Sequence, residues 1–233
     1  MRIAVYQDYV HNNGSLMMAL QDRGIDARFI DAAQIIAQGI DADVFIMPGG
    51  ADLYYCEKLD GAGNTRIREF VKDGGTYFGI CAGAYYACTS LYWDNGAISG
   101  LRELNFIEAQ AIGPVTELID DLNASWHAAP MLEWNGQIFP TLYIAGPAFK
   151  LKEGVEVIAS YERYGPAVIR KEIGKGQVIL SSPHIEISGQ AYANGRYEHR
   201  AAHRNHEEKI ADILLPHSKQ HVEFFDYILK LFS

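Results

Sequence analysis

The sequence predicts an α/β fold built on a mostly parallel, doubly wound sheet. Three observations carry that prediction. Short apolar runs alternate with amphipathic helical stretches through the first third of the chain, the rhythm of βαβ units. Glycine- or proline-bounded turns, Pro48-Gly49-Gly50 and Gly79-Ile80-Cys81-Ala82-Gly83, stop two of those runs abruptly. After Gly96 the pattern changes to a series of strand candidates, which predicts a β-rich extension of the same unit.

The elements follow in order. Ile3 to Tyr6 is a short apolar run read as the first strand. Gly14 and Ser15 open a helix that places Leu16, Ala19 and Leu20 on one face, and Gly24 is its expected C-cap. Ala27 to Ile30 reads as a strand, Ala32 to Gln38 as a short helix, and Val44 to Met47 as a buried strand. From Thr65 a helix turns Ile67, Phe70 and Val71 inward and ends at Gly74-Gly75. Tyr77 to Ile80 is the fourth strand, and Ala82 to Leu91 reads as helix, with Cys88 packed beside Ala84, Ala87 and Leu91. Beyond residue 96 the strand candidates are Gln137 to Ala145, Val155 to Tyr161 and Ala167 to Ile173, the last forming a hairpin with Gln177 to Leu180 across Gly174-Lys175-Gly176. Val222 to Phe232 is amphipathic, with Phe224, Phe225, Ile228, Leu229 and Phe232 on one side, and reads as a helix docked on the core.

The chain has 233 residues, 48% apolar and 21% charged, which suits one globular domain spanning 1–233 with a full core. Its formal net charge of −9, with no basic stripe, weighs against nucleic acid as a partner. Three cysteines without a CxxC pair argue against a disulfide framework or structural zinc and for a reducing compartment. The N-terminal apolar run is too short for a signal peptide, and no run of eighteen apolar residues occurs. A cytoplasmic protein without membrane segment, metal or cofactor is expected.

Chemistry concentrates where strands end, because ligands of doubly wound sheets sit beyond the carboxyl ends of the strands. Gly79-Ile80-Cys81-Ala82-Gly83 is the cysteine form of a nucleophile elbow: a strand-to-helix turn so sharp that only glycine fits on either side. It exposes Cys81 at the sheet rim above a helix N-terminus, which favours thiolate. Of the eight histidines, His184 is best placed, delivered by the apolar strand of Val178 to Leu180 just after Pro183. Glu186 is positioned to orient its imidazole. Read without Cys81, His184 is an ordinary loop histidine. Gly50 and Ala82, with Gly49 as alternate, are candidate main-chain donors to an oxyanion. Asp52, Tyr54, Tyr55 and Tyr85 are candidate substrate-binding side chains. Cys56, placed in a loop, and Cys88 have no evident base and read as structural; His199, His203 and His206 read as a solvated face.

Taken together, Met47 to Asp52, Gly79 to Tyr85 and Ser182 to Glu186 resemble the class I glutamine amidotransferase-like superfamily. Within it, the chain is most similar to the amidotransferase-like N-terminal module of biotin–protein ligases. The resemblance implies a flavodoxin-like three-layer α/β sandwich and a triad of Cys81, His184 and Glu186. It implies a cysteine-dependent amide hydrolase or acyl transferase acting on a small-molecule amide or carboxylate derivative, with a partner protein or homo-oligomer possible. The chain departs from that pattern at Tyr85, where glutamine-hydrolysing members carry a glutamine that holds the substrate. The resemblance also assigns ligation to a separate domain with a Gly-Arg-rich biotinyl-adenylate loop, and these 233 residues contain no such loop, so ligation is not expected. The other reading on the same fold is a non-catalytic or regulatory small-molecule-binding module. Related cysteine peptidases and glyoxalase-like proteins place histidine directly after the elbow cysteine; Ala82 stands there, which ranks that class last.

Overall fold

A computed structural model describes residues 1–8, 13–120, 125–195 and 203–232. Its first half follows the predicted alternation: β1 (Ile3–Tyr6), α1 (Gly14–Gln21), β2 (Ala27–Ile30), α2 (Ala32–Gln38), β3 (Val44–Met47), α3 (Asp52–Leu59), α4 (Ala62–Lys72), β4 (Thr76–Ile80) and α5 (Ala82–Ala87). Helix α3 is an element that the reading of Cys56 as a loop residue missed. Its local signals are present: Asp52 in the first turn and Lys58 in the last complement the helix dipole, and Asp52, Tyr55 and Leu59 share the buried face.

The helix after Cys81 is shorter than expected. It stops at Ala87, and Cys88 takes an extended backbone that opens β5 (Cys88–Trp93). Thr89, Tyr92 and Trp93 favour a pleated strand, and pairing on both sides makes the choice final. Those partners are β6 (Ile98–Leu101) and β7 (Ile107–Gly113). There follow β8 (His127–Ala128), β9 (Met131–Trp134), β10 (Gln137–Pro140), β11 (Tyr143–Ile144), β12 (Ala148–Leu151), β13 (Glu156–Tyr161), β14 (Gly165–Ile173) and β15 (Gly176–Ser181). The run read as one strand over Gln137 to Ala145 is thus two, β10 and β11. Three helices close the described chain: α6 (Gly189–Ala193), α7 (Arg204–Leu214) and α8 (Ser218–Lys230).

The main sheet has nine strands in the order β10-β9-β13-β14-β15-β4-β3-β1-β2. From β15 to β2 every pairing is parallel, and from β15 out to β10 every pairing is antiparallel. The expected hairpin of β14 and β15 is the junction between these two halves. A second sheet, β12-β7-β5-β6, and the pair β11-β8 complete the β structure after residue 88.

Strand residues alternate between the two faces. Ile3, Val5, Val44, Ile46 and Ile179 bury toward α1 and α8 on one side. Ala4, Tyr6, Phe45, Met47, Val178 and Leu180 bury toward α2 to α5 and the second sheet on the other. The C-terminal helix docks as its stripe predicts, with Phe224, Phe225, Ile228 and Leu229 buried. No helix among the described residues is long and apolar enough to cross a membrane.

Candidate active site

Strand β4 delivers Cys81. The thiol-bearing residue sits at φ +50°, ψ −104°, left-handed backbone that a non-glycine residue adopts only under constraint. The constraint is local crowding. A Cβ on Gly79 would lie 2.6 Å from the Gly83 carbonyl oxygen, and one on Gly83 would lie 2.1 Å from that of Met47. Both flanking positions therefore require glycine, as the elbow motif predicts.

Strand β15 delivers His184. It pairs parallel with β4, Ser181 opposite Ile80, so the residues after both strands emerge at one sheet edge. The Cys81 N–H donates to the Ser181 carbonyl at 2.8 Å and locks the two exits together. The bend between Ser181 and His184 is held by the Ser181 hydroxyl donating to the Pro183 carbonyl at 2.7 Å. The His184 N–H donates to the Leu142 carbonyl at 2.8 Å.

At the rim the His184 imidazole and the Cβ of Cys81 flank Gly49. A Cβ on Gly49 would lie 2.8 Å from His184 Cε1, 3.4 Å from His184 Nε2 and 3.6 Å from Cys81 Cβ. Glycine at 49 is what leaves the ring its place beside the cysteine. His184 Nδ1 is hydrogen-bonded to Glu186 Oε1 at 2.7 Å, so Nε2 is the ring nitrogen that Glu186 does not engage. Cys81, His184 and Glu186 are each only 8% exposed. Burial opposes charge on His184, but the Glu186 carboxylate at 2.7 Å, with a smaller contribution from Cys81, outweighs it and pushes the imidazole up to about 10.

The amides nominated as donors lie at this rim. Gly50 follows β3 on an exposed turn at φ +148°, and Ala82 is the first residue of α5. Neither N–H donates to an acceptor among the described residues.

The four nominated substrate-binding side chains are placed differently from one another. Tyr55 is fully buried and its hydroxyl donates to the Pro48 carbonyl at 2.8 Å; it braces the Pro-Gly-Gly turn from the core instead of lining an open pocket. Asp52 is committed to Arg102, whose Nε donates to its carboxylate at 2.6 Å in a buried pair. No local pattern pointed to Arg102, which follows β6 and meets Asp52 across fifty residues of chain. Tyr54 is half-buried on α3. Tyr85 is buried, stacks edge-on against Trp93 at 5.6 Å and donates its hydroxyl to the Ala145 carbonyl at 3.0 Å.

The remaining cysteines differ from Cys81. Burial pushes the Cys56 thiol up to about 11 against the opposing charge of Arg102. Burial alone pushes Cys88 up, and its thiol donates to the Ala84 carbonyl at 3.3 Å. His206 Nε2 donates to the His127 carbonyl at 2.9 Å, so it ties α7 to β8 and is not the solvated residue expected. His203 is the N-cap of α7, and His199 lies outside the described residues. Among the described residues no group of three or more His, Cys, Asp or Glu is arranged to hold a metal ion.

This fold is that of glutamine amidotransferases. A glutamine amidotransferase from Thermotoga maritima superposes over 100% of this chain and 96% of its own, with a TM-score of 0.61 at 14% identity. PurLQS from the same organism superposes over 80% of this chain and 88% of its own, with a TM-score of 0.57 at 15% identity. The family itself is set by sequence: the chain belongs to the biotin-protein ligase N-terminal family, whose model matches residues 37–233. An uncharacterized protein of Chlamydia muridarum is 34% identical over 156 residues, 61% of this chain and 60% of the relative. The biotin–protein ligase of Schizosaccharomyces pombe is 27% identical over 181 residues, 70% of this chain and 29% of that enzyme. The matches therefore span under two thirds of the one relative and under a third of the other.

Proposed function

We propose that this protein is a cysteine-dependent amide hydrolase or acyl transferase acting on a small-molecule amide or carboxylate derivative. One observation carries the reading: a cysteine on a strained strand-to-helix elbow stands beside Gly49 with an imidazole whose Nδ1 is bonded to a carboxylate. In the proposed cycle Cys81 Sγ attacks the substrate carbonyl carbon as the thiolate of a thiolate–imidazolium pair with His184. Glu186 stabilises that imidazolium, consistent with the raised basicity of the ring. The N–H groups of Gly50 and Ala82 hold the oxyanion, with Gly49 as the alternate. His184 then gives its proton to the leaving nitrogen as the C–N bond breaks, and water deprotonated by His184 hydrolyses the thioester.

Trapping tests the assignment. An electrophilic amide analogue is expected to label Cys81 in the native protein. Labelling is expected to vanish in Cys81→Ser and to slow roughly a hundredfold or more in His184→Ala. Equal labelling of Cys56 or Cys88 would sink the proposal.

A second reading, a small-molecule-binding module without turnover, is favoured by the Cys81 thiol itself, which donates to the Ile144 carbonyl at 3.3 Å. A rise in melting temperature with an amide or carboxylate ligand, together with no product and no label on Cys81, would select that reading.

A further inference from the structure

The segment after β10 crosses the site as a strap and presents three successive carbonyls to three side-chain donors. Ile144 accepts from Cys81 Sγ at 3.3 Å, Ala145 from the Tyr85 hydroxyl at 3.0 Å, and Gly146 from the Tyr143 hydroxyl at 2.8 Å. A regular strand turns successive carbonyls to opposite sides. Here Ala145 stands at φ +56°, and that left-handed kink breaks the alternation. Tyr143 is anchored in turn by the Val115 N–H, which donates to its hydroxyl at 2.8 Å. Two residues before Ile144, the Leu142 carbonyl accepts the His184 N–H. One short strap therefore touches both the thiol and the backbone of the base.

We propose that Tyr85 is a positioning residue for Cys81: by holding the Ala145 carbonyl it keeps the adjoining Ile144 carbonyl on the thiol and so restrains the thiol's conversion to thiolate. This rests on Cys81 being the reactive thiol of the function proposed above. A carbonyl oxygen accepts a hydrogen bond from S–H but turns the negative end of its dipole toward S⁻, so the contact favours the neutral form. Releasing the Ala145 carbonyl frees the kinked peptide to turn, and the Ile144 carbonyl moves off the sulfur. The titratable groups facing Cys81 are His184 and Glu186 after β15, Tyr55 from α3, Tyr85 from α5, Tyr143 from β11 and Tyr161 from β13. Burial pushes all four tyrosines up, so they stay neutral through the neutral range and His184 with Glu186 forms the charged part of the surroundings.

The experiment is the pH profile of Cys81 alkylation by iodoacetamide, followed on the Cys81 peptide by mass spectrometry. Tyr85→Phe keeps the ring against Trp93 and removes only the hydroxyl. It is expected to move the profile to lower pH and to speed alkylation at pH 7 about three- to tenfold, the factor one neutral hydrogen bond is worth. Tyr164→Phe, which removes a surface hydroxyl bonded to the Glu117 carbonyl, is expected to leave the profile in place. Should Tyr85→Phe fail to fold, Tyr143→Phe loosens the same strap at Gly146 and is expected to shift the profile the same way. A folded variant whose profile is unmoved, or moved to higher pH, overturns the inference. Because no turnover is read, the outcomes separate. If native Cys81 is inert to alkylation up to pH 9, the proposed function fails; if it reacts with a profile indifferent to Tyr85→Phe, only the positioning role does.

Discussion

At the scale of the residue, His184 is where burial and pairing compete most sharply. Taking an imidazolium out of water is costly, and it persists here because the Glu186 carboxylate sits 2.7 Å from Nδ1. The sign of the consequence for stability is fixed by the direction of the shift. A group whose basicity rises from the ordinary 6.5 to about 10 on folding stabilises the fold through its protonated form. That contribution is complete below about pH 6.5 and is lost as pH climbs through about 10. Glu186→Gln removes the largest of the effects that raise the ring. The melting-temperature advantage of the native protein over Glu186→Gln is therefore expected to be widest near pH 6.5 and to shrink toward pH 10. Scanning fluorimetry at both pH values reads it, and a constant difference would show that His184 is neutral in the fold. The elbow glycines and the order of Cys81, His184 and Glu186 were legible at this scale, because a sharp turn and a strand end leave local marks. The partners of Asp52, Tyr55 and Tyr85 were not, since each hydroxyl or carboxylate is used by a residue or turn that its own neighbours do not announce.

At the scale of the element, α8 shows how an amphipathic stripe becomes stability. Phe224 packs on Trp134 of β9 and Phe139 of β10, with ring centroids 5.0 and 6.1 Å apart. Arg23 of the α1 C-terminal turn lies over Phe225 at 4.9 Å and bonds Asp226 at 2.5 Å. Phe224→Ala is expected to cost about 3–5 kcal/mol, since the rigid sheet beneath it cannot collapse into the void. Val222→Ala, on the exposed side, is expected to cost no more than about 0.5 kcal/mol. Urea denaturation compares the two, and equal losses would mean that α8 is not held by its apolar face. Most elements of the first half could be read from periodicity within a residue or two. The strand β5 could not, because a run of alanine and tyrosine leading into Cys88 carries a helical pattern until β6 and β7 pair with it.

At the scale of the whole molecule, one sheet separates two apolar clusters, and strands β1, β3 and β15 contribute to both. Loss of either cluster strips one face of the same strands. Unfolding is expected to be a single cooperative transition in which tryptophan fluorescence and far-UV circular dichroism give one midpoint in urea. Trp93 and Trp134 belong to opposite clusters, so two separated midpoints would show that the second sheet and its helices melt as a unit of their own. The same sheet explains the likeness to glutamine amidotransferases at 14% identity, because a doubly wound core can be filled by many apolar sets while its strand order stays the same.

The sequence by itself determined the alternation of strand and helix, the elbow that strains Cys81, and the apolar stripe of the last helix. Each of these is written in spacings of two to seven residues, within reach of the local chain. Only the tertiary structure decided that β15 lies beside β4, that Gly49 stands beside both His184 and Cys81, and that the Ile144–Gly146 strap rests on Cys81. Those contacts join segments from dozens to well over a hundred residues apart, and their register is chosen by which faces are buried together, a property of the assembled sheet that no local pattern encodes.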